Sequence, residues 1–401
     1  MDNIPNIKHD APHIGQQPTG EVLLIEGPVR LDGETTVSGS KNASLLILAA
    51  SLLCDSPVRL SNVPRLTDTA TMTALLSQIG LDVSTDSLED GAITISPGTN
   101  VVPIAESGFV GRMRAGFCVL GPLLGRYRKA EIAMPGGCRI GSRPVDLHLH
   151  GLKKLGVHLC IHDNRILATA QKLNGTSINL GGPRGSTVTG TANVMMAAVL
   201  APGETVIQGA AIEPEIVELA RFLNQCGAAI DGFGTPKIVI HGVRSLSGTT
   251  WRIPPDRIEA ATLLMAAAIT RGRITLTGTR SAEMRKPLAD LIDAGCHIEI
   301  KSQKPHETAY SANDTHATSC EQIELTAPAR LRPVQIFAET YPGTPTDIQA
   351  QWTSLLALAD GRSRVTDVVF PERFAHIDQL VKFGAAIRRH ENTVDIEGQK
   401  S

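Results

Sequence analysis

Aromatic residues, excess charge and long apolar runs are all scarce in this chain. Phe, Trp and Tyr make up 3% of its 401 residues, and the formal net charge is −2 at pH 7. A surface of this kind offers neither stacking groups nor a general electrostatic attraction to nucleic acid or to an anionic membrane. The apolar run at 43–54 is far shorter than the roughly 20 residues that span a bilayer. We therefore expect no nucleic-acid partner and no membrane association.

Paired cysteines and cofactor motifs are also missing. The 7 cysteines are scattered without a C-x-x-C pair, which argues for a reducing, cytoplasmic compartment and against disulfides or a thiolate zinc site. No G-x-x-x-x-G-K-[ST], G-x-G-x-x-G or H-E-x-x-H motif occurs, so we expect no metal and no cofactor. Residues 1–20 lack the apolar core of a signal peptide and are predicted to be a disordered tail.

What the chain does contain is an internal repeat. A leucine followed by three variable residues, a glycine and a short β-like run recurs at intervals of roughly seventy residues. The glycines of this pattern are Gly80, Gly156, Gly227, Gly295 and Gly384. Each is predicted to end an amphipathic helix at a position that requires a left-handed backbone, with a strand after it.

A second kind of helix precedes each of these by about forty residues, and it is apolar on all sides, so it must be buried. The predicted buried helices are 43–50, 115–124, 192–200, 260–269 and 351–359. Each unit is then strand, buried helix, strand, surface helix and strand. The predicted fold class is α/β.

The units are expected to share their buried helices in groups of three. Residues 41–253 would form a three-unit domain, and residues 21–40 with 254–401 a second domain. By this count the second domain holds two units and a sixth unit is absent. Such an incomplete domain would expose the surface of buried helices, which favours self-association.

Polar residues stand where the buried helices begin, among them Lys41, Asn42, Arg114, Thr189 and Asp347. Helix N-termini attract anions, whereas a cation placed there opposes the helix dipole. An anion bound between Lys41 and Arg114 would reverse that penalty. The runs 256–259 and 346–349 fit capping boxes, and the basic run 126–129 is predicted to be a solvated surface.

The loop 135–148 sets Cys138 among glycines and the arginines Arg139 and Arg143. Positive charge beside an exposed thiol lowers its pKa and favours the thiolate. The loop is either a surface turn that contains a cysteine or the site of a reactive thiol.

Several motifs, in order, resemble the UDP-N-acetylglucosamine enolpyruvyltransferases (1-carboxyvinyltransferases) of peptidoglycan synthesis. They are Ser38-Gly39-Ser40-Lys41-Asn42-Ala43, Met113-Arg114-Ala115, the loop 135–148, Thr187-Val188-Thr189-Gly190-Thr191, Glu213-Pro214-Glu215, Pro255-Asp256-Arg257-Ile258-Glu259, Pro345-Thr346-Asp347 and Glu372-Arg373-Phe374. The resemblance implies two inside-out α/β barrels. It also implies transfer of the enolpyruvyl group from phosphoenolpyruvate to the 3′-hydroxyl of UDP-N-acetylglucosamine, with release of phosphate.

The resemblance also implies the site residues. Cys138 would be the general acid and Asp347 the base or orienting group for the hydroxyl, with Lys41 and Arg143 as further catalytic residues. The residues expected to bind the two substrates are Lys41, Asn42, Arg114, Arg143, Pro144, Val145, Asp146, Leu147, Thr189, Asp347, Val369 and Arg373.

Two alternatives stay open at this point. Ala192 and Ile212 replace residues that the family usually has, Glu and Arg, which would suit a relative that binds a UDP-sugar without turnover. The sister reaction on shikimate 3-phosphate is the other, although the cysteine loop and the run Arg143-Pro144-Val145-Asp146-Leu147-His148 resemble the nucleotide-sugar branch.

Overall fold

The computed structural model describes residues 25–87, 91–135, 144–183, 185–302 and 320–399. Within them the α-helices are α1 (Lys41–Ala50), α2 (Thr67–Ile79), α3 (Ser107–Val110), α4 (Leu120–Tyr127), α5 (Asp146–Lys154), α6 (Val188–Ala198), α7 (Pro214–Gln225), α8 (Arg257–Ile269), α9 (Arg285–Asp293), α10 (Gln349–Leu356) and α11 (Ile377–Lys382). The 3-10 helices are Ser51–Leu53, Arg114–Val119, Ser281–Glu283 and Thr346–Ile348.

The β-strands alternate with these helices along the chain. They are β1 (Asp32–Thr36), β2 (Val58–Ser61), β3 (Asp82–Ser87), β4 (Ala92–Ser96), β5 (Ile104–Ala105), β6 (Lys129–Ala133), β7 (His158–His162), β8 (Arg165–Thr169), β9 (Ser177–Asn179), β10 (Gly181–Gly182), β11 (Gly185–Ser186), β12 (Glu204–Gln208), β13 (Ala229–Asp231), β14 (Lys237–His241), β15 (Thr250–Arg252), β16 (Arg273–Thr279), β17 (His297–Ser302), β18 (Glu321–Thr326), β19 (Gln335–Ala338), β20 (Arg362–Asp367), β21 (Ala386–His390) and β22 (Thr393–Glu397).

The four-stranded sheets of the described residues all have the same pairing. Their strand orders are β15-β2-β4-β3, β5-β6-β8-β7, β9-β12-β14-β13, β1-β16-β18-β17 and β19-β20-β22-β21. In each sheet the first pair is parallel and the other two pairs are antiparallel. The predicted α/β class is confirmed.

Each surface helix is followed by a hairpin of two strands, where the sequence analysis expected a single strand. In the second sheet β7 and β8 are joined by Asp163 and Asn164, whose φ angles are 48° and 57°. Two consecutive residues with positive φ make the tight turn that suits the twist of a hairpin. The turn is short and carries no glycine, so the sequence pattern did not separate its two strands.

The glycines that end the surface helices do so as predicted. Gly80, Gly156, Gly227, Gly295 and Gly384 all have φ between 93° and 112°. A side chain is strained at such angles, so glycine is required where the chain leaves the helix and turns into the following hairpin.

The second apolar helix is divided where the sequence analysis expected one continuous helix. Arg114–Val119 forms a 3-10 helix, and α4 begins at Leu120. Pro122 is then the third residue of α4, so its missing amide falls within the first turn, where amides have no partner inside the helix. One of its neighbours, Gly121, lies against α6, and a Cβ there would come within 2.2 Å of the Asn193 carbonyl oxygen.

Two separate hydrophobic clusters fill the molecule. The first is built from buried residues between Leu45 and Ile253, and the second from Val37 and residues between Ala260 and Ile396. β1 precedes α1 in sequence but pairs with β16, and β15 pairs with β2. The chain therefore passes between the two clusters twice, at residues 37–40 and 253–256. Among the described helices, none has the length and apolar character needed to cross a membrane.

The basic run 126–129 is not simply a solvated surface, as its first residue shows. The Arg126 guanidinium donates to the carbonyl oxygens of Leu52 (3.2 Å) and Cys54, and it lies 2.9 Å from a carboxylate oxygen of Asp55. These groups stand where the apolar helix of the first unit ends, so Arg126 ties that end to α4.

Arg128 performs the same role for two further helix ends. It has a left-handed backbone (φ 57°) and donates to the carbonyl oxygens of Leu124 (3.0 Å), Gly125 and Leu200 (3.1 Å). Burial lowers the pKa of its guanidinium. A cation at the C-terminal end of a helix is favourable, and here one side chain satisfies carbonyls of both α4 and the segment after α6.

We expect Arg128→Ala to lower the free energy of unfolding by about 2 kcal/mol, because it leaves carbonyl oxygens without donors. Denaturant unfolding monitored by circular dichroism measures this loss. Lys129→Ala is the matched control, since Lys129 is exposed next in the chain. Equal stability of the two variants would contradict the role assigned to Arg128.

Candidate active site

The two crossing segments are bonded to each other. Gly39 and Pro255 form an isolated antiparallel bridge, Ser40 N donates to Pro254 O at 2.7 Å, and Asp256 N donates to Ser38 O at 2.8 Å. Because α1 starts after one segment and α8 after the other, these two buried helices begin side by side.

Asp256 caps both of these helices. One carboxylate oxygen accepts from Ile258 N (2.8 Å) and Glu259 N (3.1 Å) of α8, and the other accepts from Lys41 N (2.9 Å) of α1. The predicted cap is confirmed, but the capping box is wrong in its second member. The Glu259 carboxylate does not return to the cap; it accepts from the amide (2.9 Å) and hydroxyl (3.0 Å) of Ser38 on the other crossing segment.

Lys41, Asn42 and Arg114 lie at helix starts, as the sequence predicted. Lys41 is the first residue of α1, and its Nζ lies 3.6 Å from a carboxylate oxygen of Asp68 in the first turn of α2. Both side chains are about 40% exposed, so the pair is weak. Asp68 nevertheless offsets a cation that the sequence analysis treated as uncompensated. Asn42 and Arg114 are half-buried.

Asp347 and Arg373 contact each other in the part of the chain that surrounds the second hydrophobic cluster. Arg373 Nη1 lies 2.8 Å from Asp347 Oδ1 and 3.4 Å from Thr346 Oγ1. The capping box predicted over 346–349 is wrong. Thr346 belongs to a 3-10 helix and donates its hydroxyl to Asp367 at 2.5 Å, while the side-chain amide of Gln349 is buried and has no hydrogen-bond partner among the described residues.

Asp367 holds the segments around Asp347 and Val369 together through hydrogen bonds. The sequence patterns did not identify it. It is fully buried and accepts from Val369 N (2.9 Å) and Phe370 N (2.7 Å) as well as from Thr346. Burial raises its pKa, although these hydrogen bonds and Arg373 act in the opposite direction. Asp367 thereby holds Val369, a predicted binding residue, close to the Asp347–Arg373 pair.

A third set of predicted residues lies in the first cluster, where α5 and α6 begin. Pro144 and Val145 precede α5, Asp146 and Leu147 open it, and Thr189 is in the first turn of α6. His148 links the two helices: it is buried, and its Nε2 is 3.1 Å from Thr189 Oγ1. His148 ends the motif quoted for the resemblance but was given no role there.

Residues 136–143, which include Cys138 and Arg143, lie outside the described residues. Pro135 and Pro144 flank them, so the loop connects the end of β6 to the start of α5.

Two motifs without an assigned role prove to be partners across the two clusters. Arg257 at the start of α8 makes a bidentate ion pair with Glu215 of α7, at 3.1 and 3.3 Å. Arg280 Nη1 contacts Glu218 of α7 at 2.9 Å and Glu283 at 3.2 Å. Burial alone would lower the pKa of Arg257, but Glu215 and its acidic neighbours raise it above its ordinary value. We call this set, together with Glu213, the ionic cluster.

Glu213 is the member of the ionic cluster whose burial is not fully compensated by hydrogen bonds. It is 7% exposed, and its Oε2 has no hydrogen-bond partner among the described residues. Burial raises its pKa, with Glu215 adding to the shift and Arg257 opposing it. The described residues contain no grouping of three His, Cys, Asp or Glu side chains that could hold a metal ion.

The family model and three relatives that match this chain are all named 1-carboxyvinyltransferases. The family model for EPSP synthase (3-phosphoshikimate 1-carboxyvinyltransferase) matches residues 25–401. A UDP-N-acetylglucosamine 1-carboxyvinyltransferase of Methylacidiphilum infernorum is 42% identical over 378 residues, covering 94% of this chain and 85% of the relative. Enzymes of the same name from Ruthia magnifica (43% over 379 residues, 94% and 85% covered) and Coxiella burnetii (42% over 379, 94% and 82%) are equally similar.

Solved structures share the fold at lower sequence identity. The enolpyruvyl transferase NikO from Streptomyces tendae superposes with a TM-score of 0.79 at 22% identity, covering 93% of this chain and 83% of that protein. An EPSP synthase from Acinetobacter baumannii gives 0.70 at 16% identity, covering 94% and 83%. The mixed α/β architecture described above is therefore that of enolpyruvyl transferases.

We expect Glu213→Gln to stabilise the protein at neutral pH. The folded pKa of Glu213 is raised, so its favourable contribution is present below the unfolded pKa and is lost as pH rises through the folded pKa. The variant should therefore melt above the wild type at pH 7, and the difference should vanish in acid. Thermal unfolding at several pH values measures this, and a variant that melts below the wild type at pH 7 would contradict it.

Glu215→Gln provides the opposite expectation two residues away. It breaks a buried, bidentate pair and leaves Arg257 without its main counter-ion, which costs about 3 kcal/mol. The same melting experiment should show a clear loss of stability at pH 7. Similar behaviour of the two variants would mean that the ionic cluster does not distinguish the two carboxylates.

Proposed function

We propose a specific reaction for this chain, which belongs to the EPSP synthase (3-phosphoshikimate 1-carboxyvinyltransferase) family. It is a transferase that moves the enolpyruvyl group of phosphoenolpyruvate to the 3′-hydroxyl of UDP-N-acetylglucosamine and releases phosphate. The observation that carries this is the identity of about 42% with enzymes of that name over 94% of the chain. The same relatives favour the nucleotide sugar over shikimate 3-phosphate as acceptor.

We propose that each four-stranded sheet, with its apolar helix and its surface helix, is one copy of the repeat. Residues 41–253 and residues 21–40 with 254–401 would then be two inside-out barrels, with the apolar helices at their centres. The common pairing of the sheets and the two hydrophobic clusters support this division. We also place the protein in the cytoplasm, because seven scattered cysteines suit a reducing compartment.

The reaction requires a base, an acid and cations. The sugar hydroxyl loses its proton and adds to C2 of phosphoenolpyruvate, and C3 gains a proton. Loss of phosphate and of one C3 proton then restores the double bond. We assign proton delivery to Cys138 and the orientation or deprotonation of the hydroxyl to Asp347. Asp347 suits this role because its side chain is 43% exposed on the short 3-10 helix Thr346–Ile348, where substrate can reach it.

The anionic groups of phosphoenolpyruvate are assigned to cations at the helix starts. Lys41, Arg114 and Arg143 would hold its phosphate and carboxylate, and Arg373 would act beside Asp347. Lys41 and Arg114 are the first residues of α1 and of the 3-10 helix Arg114–Val119, and the positive ends of these helix dipoles favour the same anions. Stabilising the charge of the leaving phosphate is usually the largest part of catalysis in such a site.

The nucleotide sugar is assigned to the remaining residues. Asn42, the segment 144–147 and Thr189 would line its site from the first cluster, and Val369 from the second. Thr189 is linked to α5 through His148, and Val369 is fixed by Asp367. These contacts fix the residues that would form one wall of the site in each cluster.

We expect the purified chain to release phosphate from phosphoenolpyruvate only when UDP-N-acetylglucosamine is present. Asp347→Asn should lower this rate by about a hundredfold or more, as loss of a general base does. Asp360→Asn is the matched control, because Asp360 is also exposed and paired with an arginine of the second cluster. A colorimetric phosphate assay measures both. Binding of the sugar nucleotide without phosphate release would instead support the non-catalytic alternative.

The thiol assignment predicts selective labelling. A phosphonate epoxide that alkylates an activated thiol should label the wild type and Cys160→Ser but not Cys138→Ser. Cys160 is the suitable control because it is exposed, whereas Cys54, Cys118, Cys226 and Cys296 are buried. Intact mass spectrometry reads the adduct, and a labelled Cys138→Ser variant would remove Cys138 from the proposed site.

A further inference from the structure

Thr189 is held by a histidine that is itself buried. Thr189 Oγ1 lies 3.1 Å from His148 Nε2, and His148 is 2% exposed. His148 is in the first turn of α5, and Thr189 is in the first turn of α6. Among the described residues, His148 is the hydrogen-bond partner of the Thr189 hydroxyl.

The opposite nitrogen of His148 faces Asn193, whose orientation is fixed by its other contacts. Asn193 Oδ1 must accept, because Gly121 N lies 2.7 Å away and can only donate. Asn193 Nδ2 is therefore the amide nitrogen that lies 3.1 Å from Phe117 O and 3.0 Å from His148 Nδ1. An amide nitrogen has two protons, and here one faces each of these two acceptors.

This arrangement selects one form of the imidazole. His148 Nδ1 receives a proton from Asn193, so it must present its lone pair, and the ring proton stands on Nε2. In the other tautomer, or in the cation, Nδ1 would carry a proton. That proton would point at the Asn193 amide protons, because Nδ1 and Asn193 Nδ2 are only 3.0 Å apart.

The hydroxyl of Thr189 is oriented as a result. Because His148 donates to Thr189 Oγ1, the oxygen is the acceptor in that bond, and the hydroxyl proton remains to donate elsewhere. Thr189 is half-buried, so its side chain can reach a ligand. The first amides of α6 and the helix dipole make the same place favourable for a negative group.

We propose that His148 is a positioning residue that makes Thr189 a hydrogen-bond donor to the anionic part of the nucleotide sugar. This inference rests on the proposed function for the identity of the ligand. It adds a residue that contacts no substrate, acting through Asn193 on one side and Thr189 on the other. Its effect should therefore fall on affinity for UDP-N-acetylglucosamine and not on the structure of the protein.

The tautomer can be measured without any substrate. Nitrogen-15 NMR of the histidine-labelled full chain, assigned with His148→Asn, should show His148 neutral at pH 7 with its proton on Nε2. A proton on Nδ1 or on both nitrogens would overturn the inference.

Two conservative variants separate the two halves of the histidine. His148→Gln places an amide nitrogen near the position of Nε2 and keeps a donor to Thr189, whereas His148→Asn keeps only an acceptor near Nδ1. Calorimetry with UDP-N-acetylglucosamine should show about tenfold weaker binding for His148→Asn, as expected for one lost hydrogen bond, with most of the affinity restored in His148→Gln. His150→Asn is the matched control, because His150 is exposed on the same helix.

A double variant tests whether His148 acts through Thr189. Thr189→Val should weaken binding by a similar factor, and adding His148→Asn should weaken it no further. If the wild type binds the ligand and His148→Asn binds it equally well, this inference alone is overturned. The same holds if the wild type binds and the two losses of affinity multiply in the double variant. No binding by the wild type would contradict the proposed function itself and this inference with it.

Discussion

One carboxylate holds the two halves of the molecule in register. Asp256 accepts from two amides in the first turn of α8 and from the first amide of α1, and these helices belong to different hydrophobic clusters. Helix N-termini need acceptors, and a shared acceptor forces the two helices to begin at the same place. Lys41 and Asn42 are fixed by that constraint, and Glu259 strengthens it by binding Ser38.

The ionic cluster extends this connection at an energetic cost. Buried charges repay their desolvation only with close partners, which Arg257 and Glu215 are, whereas Glu213 keeps an oxygen without a partner in the described residues. The ionic cluster therefore fixes how the two clusters pair, but it does not give the largest possible free energy of unfolding. A site formed from both clusters would need such specificity, because Thr189 and the Asp347–Arg373 pair come from different ones.

Local features of the fold could be predicted from the sequence because they are recorded in neighbouring residues. The helix-ending glycines and the all-apolar helices are of this kind, and the ordered motifs identified the family. Contacts between distant residues could not be predicted this way. The Lys41–Asp256 bond spans 215 positions, and Glu215 and Arg257 were recognised as motifs but not as partners. Asp367 and His148 act through other residues, so their types alone did not mark them.

If residues of both clusters form one site for UDP-N-acetylglucosamine, both clusters should respond when that ligand binds. Hydrogen–deuterium exchange with and without this ligand tests it most directly. Binding should slow exchange at the starts of α1, α5 and α6 and, at the same ligand concentration, in residues 346–370. Slower exchange in one cluster alone, or in neither, would contradict it.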